Sequence, residues 1–303
     1  MAHYTLRQLE CFVAVAETGS LSAAAKALHL SDSAVSGAVT ELERSLDARL
    51  TIRRKAHGVV LTPSGRYVLE HARGILRSSR DLSLHAADAG AELRGTLMLG
   101  SYVTLAPTVL ARLIDAYAAR HPAVELDFLD GGQMQMHDYA ASGRVDLAIT
   151  YDFGLPSGLA SLPLYGATPC AVLSADHPLA RRESLTLTEL AAEPMILLDV
   201  HTSRENTLSM FSEAGLDPAI RFRTSNYEVT RSLVARGMGY AILVQQPAGS
   251  RSYEGREIVV LPLDPVPRPV GVSLVWPRDT KPSQAAQAMI DLARETYGDG
   301  GAN

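Results

Sequence analysis

Apolar positions near the start of the chain recur with a helical period, and those in the remainder switch between helical and strand periods. Over residues 4–18, Leu6, Leu9, Phe12, Val13 and Ala16 share one helical face. Gly19 predicts a break, and Ser20 predicts an N-cap for a second helix carrying Leu21, Ala24, Ala25 and Leu28. The small alanines let a neighbouring helix approach closely. Ser31 predicts a third start, ahead of the stripe Val35, Val39, Leu42 and Leu46. Two short helices joined by a tight turn, the second with small polar residues in its early turns, match a helix-turn-helix. The same periodicity also fits a small three-helix bundle. Gly58 and the β-like residues 59–62 then predict a short two-stranded wing, and Thr62-Pro63 the start of a long helix.

Charge changes this picture. Residues 1–80 hold 11 Lys+Arg against 7 Asp+Glu, a net of +4, and the remainder holds 17 against 26, a net of −9. Arg49, Arg53, Arg54, Lys55 and His57 crowd around the wing, where cations suit phosphates or a narrow minor groove. A basic head on an acidic body fits a polyanion bound at one end, although a solvated face has the same composition.

The stretch from Leu6 to Gly65 resembles the DNA-binding head of LysR-type transcriptional regulators. The matching features are Leu6-Arg7-Gln8-Leu9, Gly19-Ser20, Ala24-Ala25, Ser31, Ala34-Val35-Ser36, Leu42-Glu43, Arg53-Arg54 and Leu61-Thr62-Pro63-Ser64-Gly65. The order and length of the later elements suit that family's effector domain, so the resemblance spans essentially the whole chain. It implies a winged helix-turn-helix over 1–61, a linker (dimerisation) helix over 62–92, and an effector-binding domain over 93–303. That domain is expected to be a two-lobed α/β fold resembling periplasmic binding proteins. Its first lobe would take about 93–163 and 268–303, and its second about 164–267.

On this reading Asp32, Ser33, Ser36 and Thr40 face the major groove, while Arg53, Arg54 and Lys55 meet phosphate or the minor groove. Two positions depart from the family. Asp32 stands where glutamine is usual; a carboxylate accepts only, for example from cytosine N4, or else merely favours the positive helix N-terminus. Gly37 replaces a longer polar side chain.

In the long helix, Val68, Ala72, Ile75, Ser79, Leu82, Ala86 and Ala89 follow heptad spacing with small residues, a weak seam. The alternatives are a helix packed on its own domain and, as the resemblance implies, a dimer that pairs two heads on a pseudo-palindromic double-stranded operator. A homotetramer built from such dimers is also implied.

The body shows strands at 97–100, 124–128, 145–150, 168–174, 195–198, 220–224, 240–244 and 270–275, with helices predicted at 105–120, 133–142, 203–214, 226–236 and 282–297. This alternation predicts open, largely parallel sheets. Such sheets bind ligands beyond the carboxyl ends of their strands, where helix N-termini present amides. Two turns offer hydroxyls at a helix start: Ser101 to Thr104, and Thr202-Ser203-Arg204, the latter adding a guanidinium suited to a carboxylate. Each hydroxyl is a ligand contact or a plain N-cap. Phe128, Tyr151 and Gln245 sit at strand ends and are further candidates to shape the pocket of a small-molecule effector.

No run of about 20 apolar residues appears, and the N-terminus lacks a basic segment followed by an apolar one. Cys11 and Cys170 lie far apart in apolar contexts and predict buried thiols in a reducing cytoplasm. No nucleophile elbow, phosphate-binding glycine loop, dinucleotide fingerprint or zinc-ligand spacing is present, so no enzyme, cofactor or metal is expected. Besides a regulator sensing a metabolite, a solute-receptor-like protein whose head only oligomerises remains open, as does an α/β enzyme.

Overall fold

The computed structural model describes residues 4–54, 58–86, 93–246 and 249–298. The head is built from α1 (Leu6–Thr18), α2 (Leu21–Ala27) and α3 (Asp32–Ser45). Its turns form as the sequence predicts: Gly19 ends α1 in the left-handed conformation, and the Ser20 and Ser31 hydroxyls accept from the Ala23 and Ala34 amides. Phe12, Val15, Ala24, Ala25, Val35 and Leu42 close into one core.

The wing is an antiparallel pair, β1 (Thr51–Arg54) and β2 (Gly58–Leu61). It is tied to the head at two places. Val59 donates to the Gly19 carbonyl at 2.8 Å, and Gly58 has φ +69°; a Cβ there would meet the Gly19 oxygen at 2.3 Å, so a side chain is excluded. On the other side, buried Glu43 of α3 accepts through Oε1 from the Leu50 amide at 2.8 Å, the Thr51 amide at 2.9 Å and the Thr51 hydroxyl at 3.1 Å. That carboxylate fixes where the wing leaves α3.

Thr62 caps α4 (Pro63–Ala86), its hydroxyl accepting from the Gly65 amide at 2.9 Å. Val68, Ala72 and Leu76 pack into the head core, while Ile75 is exposed. The first part of the predicted seam therefore serves the chain's own head. Ala89 lies outside the described residues.

The body has two lobes. In the first, β3 (Gly95–Tyr102), β4 (Val124–Gly131), β5 (Leu147–Tyr151), β6 (Leu159–Ala167) and β12 (Val270–Pro277) form a sheet ordered β4-β3-β5-β12-β6. One core packs between this sheet, α5 (Ala111–Arg120) and α10 (Gln284–Tyr297); α6 (Gln133–Ala141) contacts the sheet through a separate cluster around Met136 and Val145. The helix predicted to begin at Leu105 instead opens with a π-turn over Ala106–Leu110. In the second lobe, β7 (Cys170–Ser174) pairs with β10 (Ala241–Leu243) and β11 (Ile258–Pro262), β8 (Met195–Leu198) pairs with β9 (Ile220–Thr224), and β8 bridges to Tyr240 beside β10. Helices α7 (Leu187–Ala191), α8 (His201–Glu213) and α9 (Tyr227–Ala235) complete it.

The first lobe's sheet is mixed, and the second lobe combines an antiparallel sheet, β10-β7-β11, with the parallel pair β8-β9, which corrects the largely parallel expectation. β12 runs antiparallel to both neighbours, as does β7 in the second lobe. Strands β6 and β11 carry no predicted element. Pairing continues to Ala167 opposite Val270, so the first crossover falls at Thr168-Pro169 rather than at the expected 163/164.

Replacing Glu43 by Leu removes the acceptor for two backbone amides and should destabilise the wing by about 2–4 kcal/mol. Glu43→Gln keeps an oxygen there and should lose less than half of that. Hydrogen exchange at the Leu50 and Thr51 amides reads the effect; unchanged protection in Glu43→Leu would remove this carboxylate from the wing's support.

Candidate functional site

Asp32, Ser33, Gly37 and Thr40 are exposed on α3, and Ser36 is half-buried between them. The Thr40 hydroxyl donates to the Ser36 carbonyl at 2.9 Å, and Ser31 and Ser33 hydroxyls lie 3.0 Å apart. Asp32 accepts from the Ser22 hydroxyl, so its carboxylate bridges the two helices of the turn as well as standing at a helix N-terminus. Ser36 and Thr40 line a groove with Arg49, Thr51 and Val59, between α3 and the wing. Arg53 and Arg54 are on β1; Lys55 lies outside the described residues.

In the body, the carboxyl ends of β3 and β5 bring Ser101, Tyr102 and Tyr151 to the gap between the lobes, and the second lobe answers with the start of α8 and the segment after β10. Tyr102 meets Ser203 across the lobes, hydroxyl to hydroxyl at 3.0 Å. Thr104 and Tyr151 hydroxyls lie 3.4 Å apart, and the Tyr102 and Tyr151 rings meet edge-on with centroids 5.3 Å apart. Gln245 ties the lobes further: its Oε1 accepts from Thr108 at 3.4 Å and Tyr165 at 3.1 Å, and its carbonyl accepts from Tyr227. Ser101 is fully buried, its hydroxyl donating to the Tyr102 carbonyl at 3.2 Å. Burial pushes the Tyr102 and Tyr151 hydroxyls up, and those of Tyr165 and Tyr227 up to about 12, so all four remain neutral donors near pH 7.

The capping alternative fails at both turns. The N-cap of the π-turn is Leu105 and that of α8 is Val200, and neither end has a side-chain cap. Helix α8 begins at His201, earlier than predicted, which places Thr202 and Ser203 inside its first turn. Its leading amides are thus left for another acceptor. Arg204 is not a free anchor: it holds Asp199 at 2.8 Å, and Arg223 approaches the same carboxylate at 3.7 Å. Phe128 is 48% exposed on the edge strand β4 and is not among the residues brought together. Sequence reasoning passed over Tyr102, Thr108, Tyr165 and Tyr227, whose hydroxyls converge only in the folded chain, and over Asp199. Among the described residues no group of His, Cys, Asp and Glu is arranged to hold a metal, and no helix is long and apolar enough to cross a membrane.

Residues 6–66 match the family model described as bacterial regulatory helix-turn-helix protein, lysR family, and residues 90–298 match the LysR substrate binding domain. The chain belongs to the LysR family. This LysR-family chain is 31% identical over 297 residues to the HTH-type transcriptional regulator YvbU of Bacillus subtilis, covering 97% of this chain and 99% of that one. It is 29% identical over 239 residues to the DNA-binding transcriptional dual regulator OxyR of Escherichia coli, 78% of each. The crystal structure of HinK, a LysR family regulator from Pseudomonas aeruginosa, superposes with a TM-score of 0.65 at 32% identity, covering 98% of this chain and 99% of that one. The head is therefore a DNA-binding helix-turn-helix and the body a substrate-binding domain for small-molecule effectors, in a family that oligomerises. The alternative of a receptor whose head only oligomerises falls with this result.

Because neither hydroxyl caps α8, Thr202→Val should change stability by less than about 0.5 kcal/mol. Asn226, which caps α9 by accepting from the Glu228 and Val229 amides, should cost about 1 kcal/mol when replaced by Ala. Equal losses in denaturant unfolding would restore the capping role.

Proposed function

We propose that this regulator senses a small carboxylate held between the lobes at the N-terminus of α8. The observation that carries this reading is the first turn of α8, which has no side-chain cap and stands where Tyr102 reaches Ser203 from the other lobe at 3.0 Å. Backbone amides and the helix dipole favour an anion there, neutral tyrosine, serine and threonine hydroxyls supply donors, and the neighbouring Asp199 carboxylate is held by Arg204 and Arg223. Tyr102 serves from the first lobe, Thr202 and Ser203 from the second, with Ser101 buried behind Tyr102 and Thr104, Tyr151 and Gln245 walling the site. Arg204 acts through Asp199, by holding the loop ahead of α8.

Binding works by population shift. A ligand that prefers one angle between the lobes alters how paired heads sit on DNA, and it does so only through differential affinity for the two arrangements. We place the protein in the cytoplasm, as a homotetramer built from two dimers on a pseudo-palindromic operator. Ser33, Ser36 and Thr40 face the major groove, Asp32 steadies the turn, and Arg53, Arg54 and Lys55 hold the backbone. Some relatives are named hydrogen peroxide-inducible genes activators, and a peroxide response is not carried over from them. The two cysteines sit in separate domains, Cys11 in the head core and Cys170 on β7, and burial pushes both thiols up, away from the reactive thiolate.

In a thermal-shift screen of the full chain, a carboxylate at about 100 times its Kd should add roughly 2.7 kcal/mol of stability. The shift should vanish in Thr202→Val combined with Ser203→Ala and shrink in Tyr102→Phe. Shifts given only by neutral compounds would contradict the anion reading. For DNA, replacing Arg53 and Arg54 with Ala should weaken binding to all sequences and flatten the salt slope by about 1–2; an unchanged slope would take the wing out of the interface. Treatment with hydrogen peroxide should leave no intramolecular disulfide by mass spectrometry under non-reducing conditions, and such a bond would revive the peroxide reading.

A further inference from the structure

Helix α6 buries Gln133, Met136, His137 and Ala140, one face at helical spacing, against the first lobe's sheet. Met136 and Ala140 join an apolar cluster there with Ala148 and Val275. His137 lies in the same layer at 2% exposure, and neither of its ring nitrogens has a hydrogen-bond partner among the described residues. Across the interface, β5 turns Thr150 toward α6, since Ile149 and Tyr151 on either side of it belong to the opposite core. The Thr150 hydroxyl and the Gln133 Oε1 are likewise buried and unpartnered.

The sheet gives the ring no counter-charge. Strands β3, β5, β6 and β12 contain no Asp, Glu, Lys, Arg or His, and their tyrosines, Tyr102, Tyr151 and Tyr165, pack with the opposite core. The other charges around α6 lie toward solvent: Glu125, Asp127 and Asp130 on β4, Asp138 on α6 itself, and Asp152 after β5. In the turn after α6, Arg144 stacks on Tyr139, and half-buried Asp146 accepts from the Met98 amide at 2.8 Å. Burial pulls the His137 imidazole below its ordinary value, and Asp138 offsets only part of that pull.

A neutral imidazole fits this dry layer with two unmade hydrogen bonds. An imidazolium there would be a charge with two donors and nothing to receive them. We propose that His137 is a proton-sensitive pin: neutral, it seats α6 on the sheet, and on taking up a proton it leaves the sheet for water and carries α6 with it. The cleft feels this release, because Gln133 Nε2 donates to the Phe153 carbonyl at 2.7 Å, tying the start of α6 to the segment that follows β5. The device is independent of which ligand the cleft takes.

The chain's one tryptophan, Trp276 on β12, reports on the first lobe. The test is urea unfolding of the full chain, followed by Trp276 fluorescence at about pH 7.5 and about pH 5.5. A histidine that is held neutral in the fold, with a value of about 6.5 in the unfolded chain, loses stability as pH falls below that value. Between the two pH values the folding constant of the wild type should drop about tenfold more than that of His137→Leu, which takes up no proton. His137→Gln makes the same comparison if the leucine variant does not fold. In the wild type, NMR of isotope-labelled histidine should show one imidazole still neutral at the lower pH, and that resonance should be missing from the variant. Equal drops in wild type and variant would overturn the proposal. So would an NMR titration in which all nine histidines are protonated at the lower pH.

Discussion

The return of the chain through β12 is the constraint on which the body depends. This strand runs antiparallel to both β5 and β6, and its residues Val272 and Leu274 are fully buried in the first lobe's core. Only by crossing back from β11 does the chain complete that sheet, and the same crossing leaves the two lobes joined by paired connections at one edge. A hinge results from topology, with no flexible sequence required. The carboxyl ends of β3 and β5 then face the start of α8 across the gap, which is where α/β sheets bind their ligands. Tyr102 to Ser203 and the hydroxyls on Gln245 span the same gap, so the contacts that set the lobe angle are the contacts a ligand must meet.

The head obeys a different economy of parts. Gly58 brings the wing against Gly19, and Glu43 binds the segment leaving α3, so helix and wing move as one piece. With Ala72 and Leu76 of α4 buried in the same core and Val68 packed against it, the long helix is rooted in the head. That shared core links α4 to α3 directly. Together these features give an effector domain of two lobes joined along one edge and a DNA-binding unit built as a single body.

Much of this was legible in the sequence where a local rule decides the outcome. Ser20, Ser31 and Thr62 are caps because their hydroxyls reach amides a few residues away, and β8 and β9 stand alone between clear turn residues. Strand β6 was hidden because Pro163 and Gly166 look like turn residues; in the fold the pairing with β12 is irregular beside Pro163, and Gly166 packs against Pro269. Strand β11 ends in Pro262 and was masked in the same way. The site was legible as two turns but not as a network. Arg204 looked like an anchor because its partner Asp199 precedes it in the turn and Arg223 arrives from another strand. The hydroxyls around Gln245 come from four separated segments, and no periodicity marks them.

The central claim is that the cleft and the heads report on one another. Linkage makes that claim directly measurable: a ligand that changes operator affinity by some factor must have its own affinity changed by the same factor when the operator is bound. The measurement is a titration of the full chain with a cleft-binding carboxylate in the presence and absence of saturating operator DNA. The account predicts two different affinities, with a ratio equal to the ligand's effect on DNA binding. Identical affinities, with an operator footprint that ignores the ligand, would contradict it.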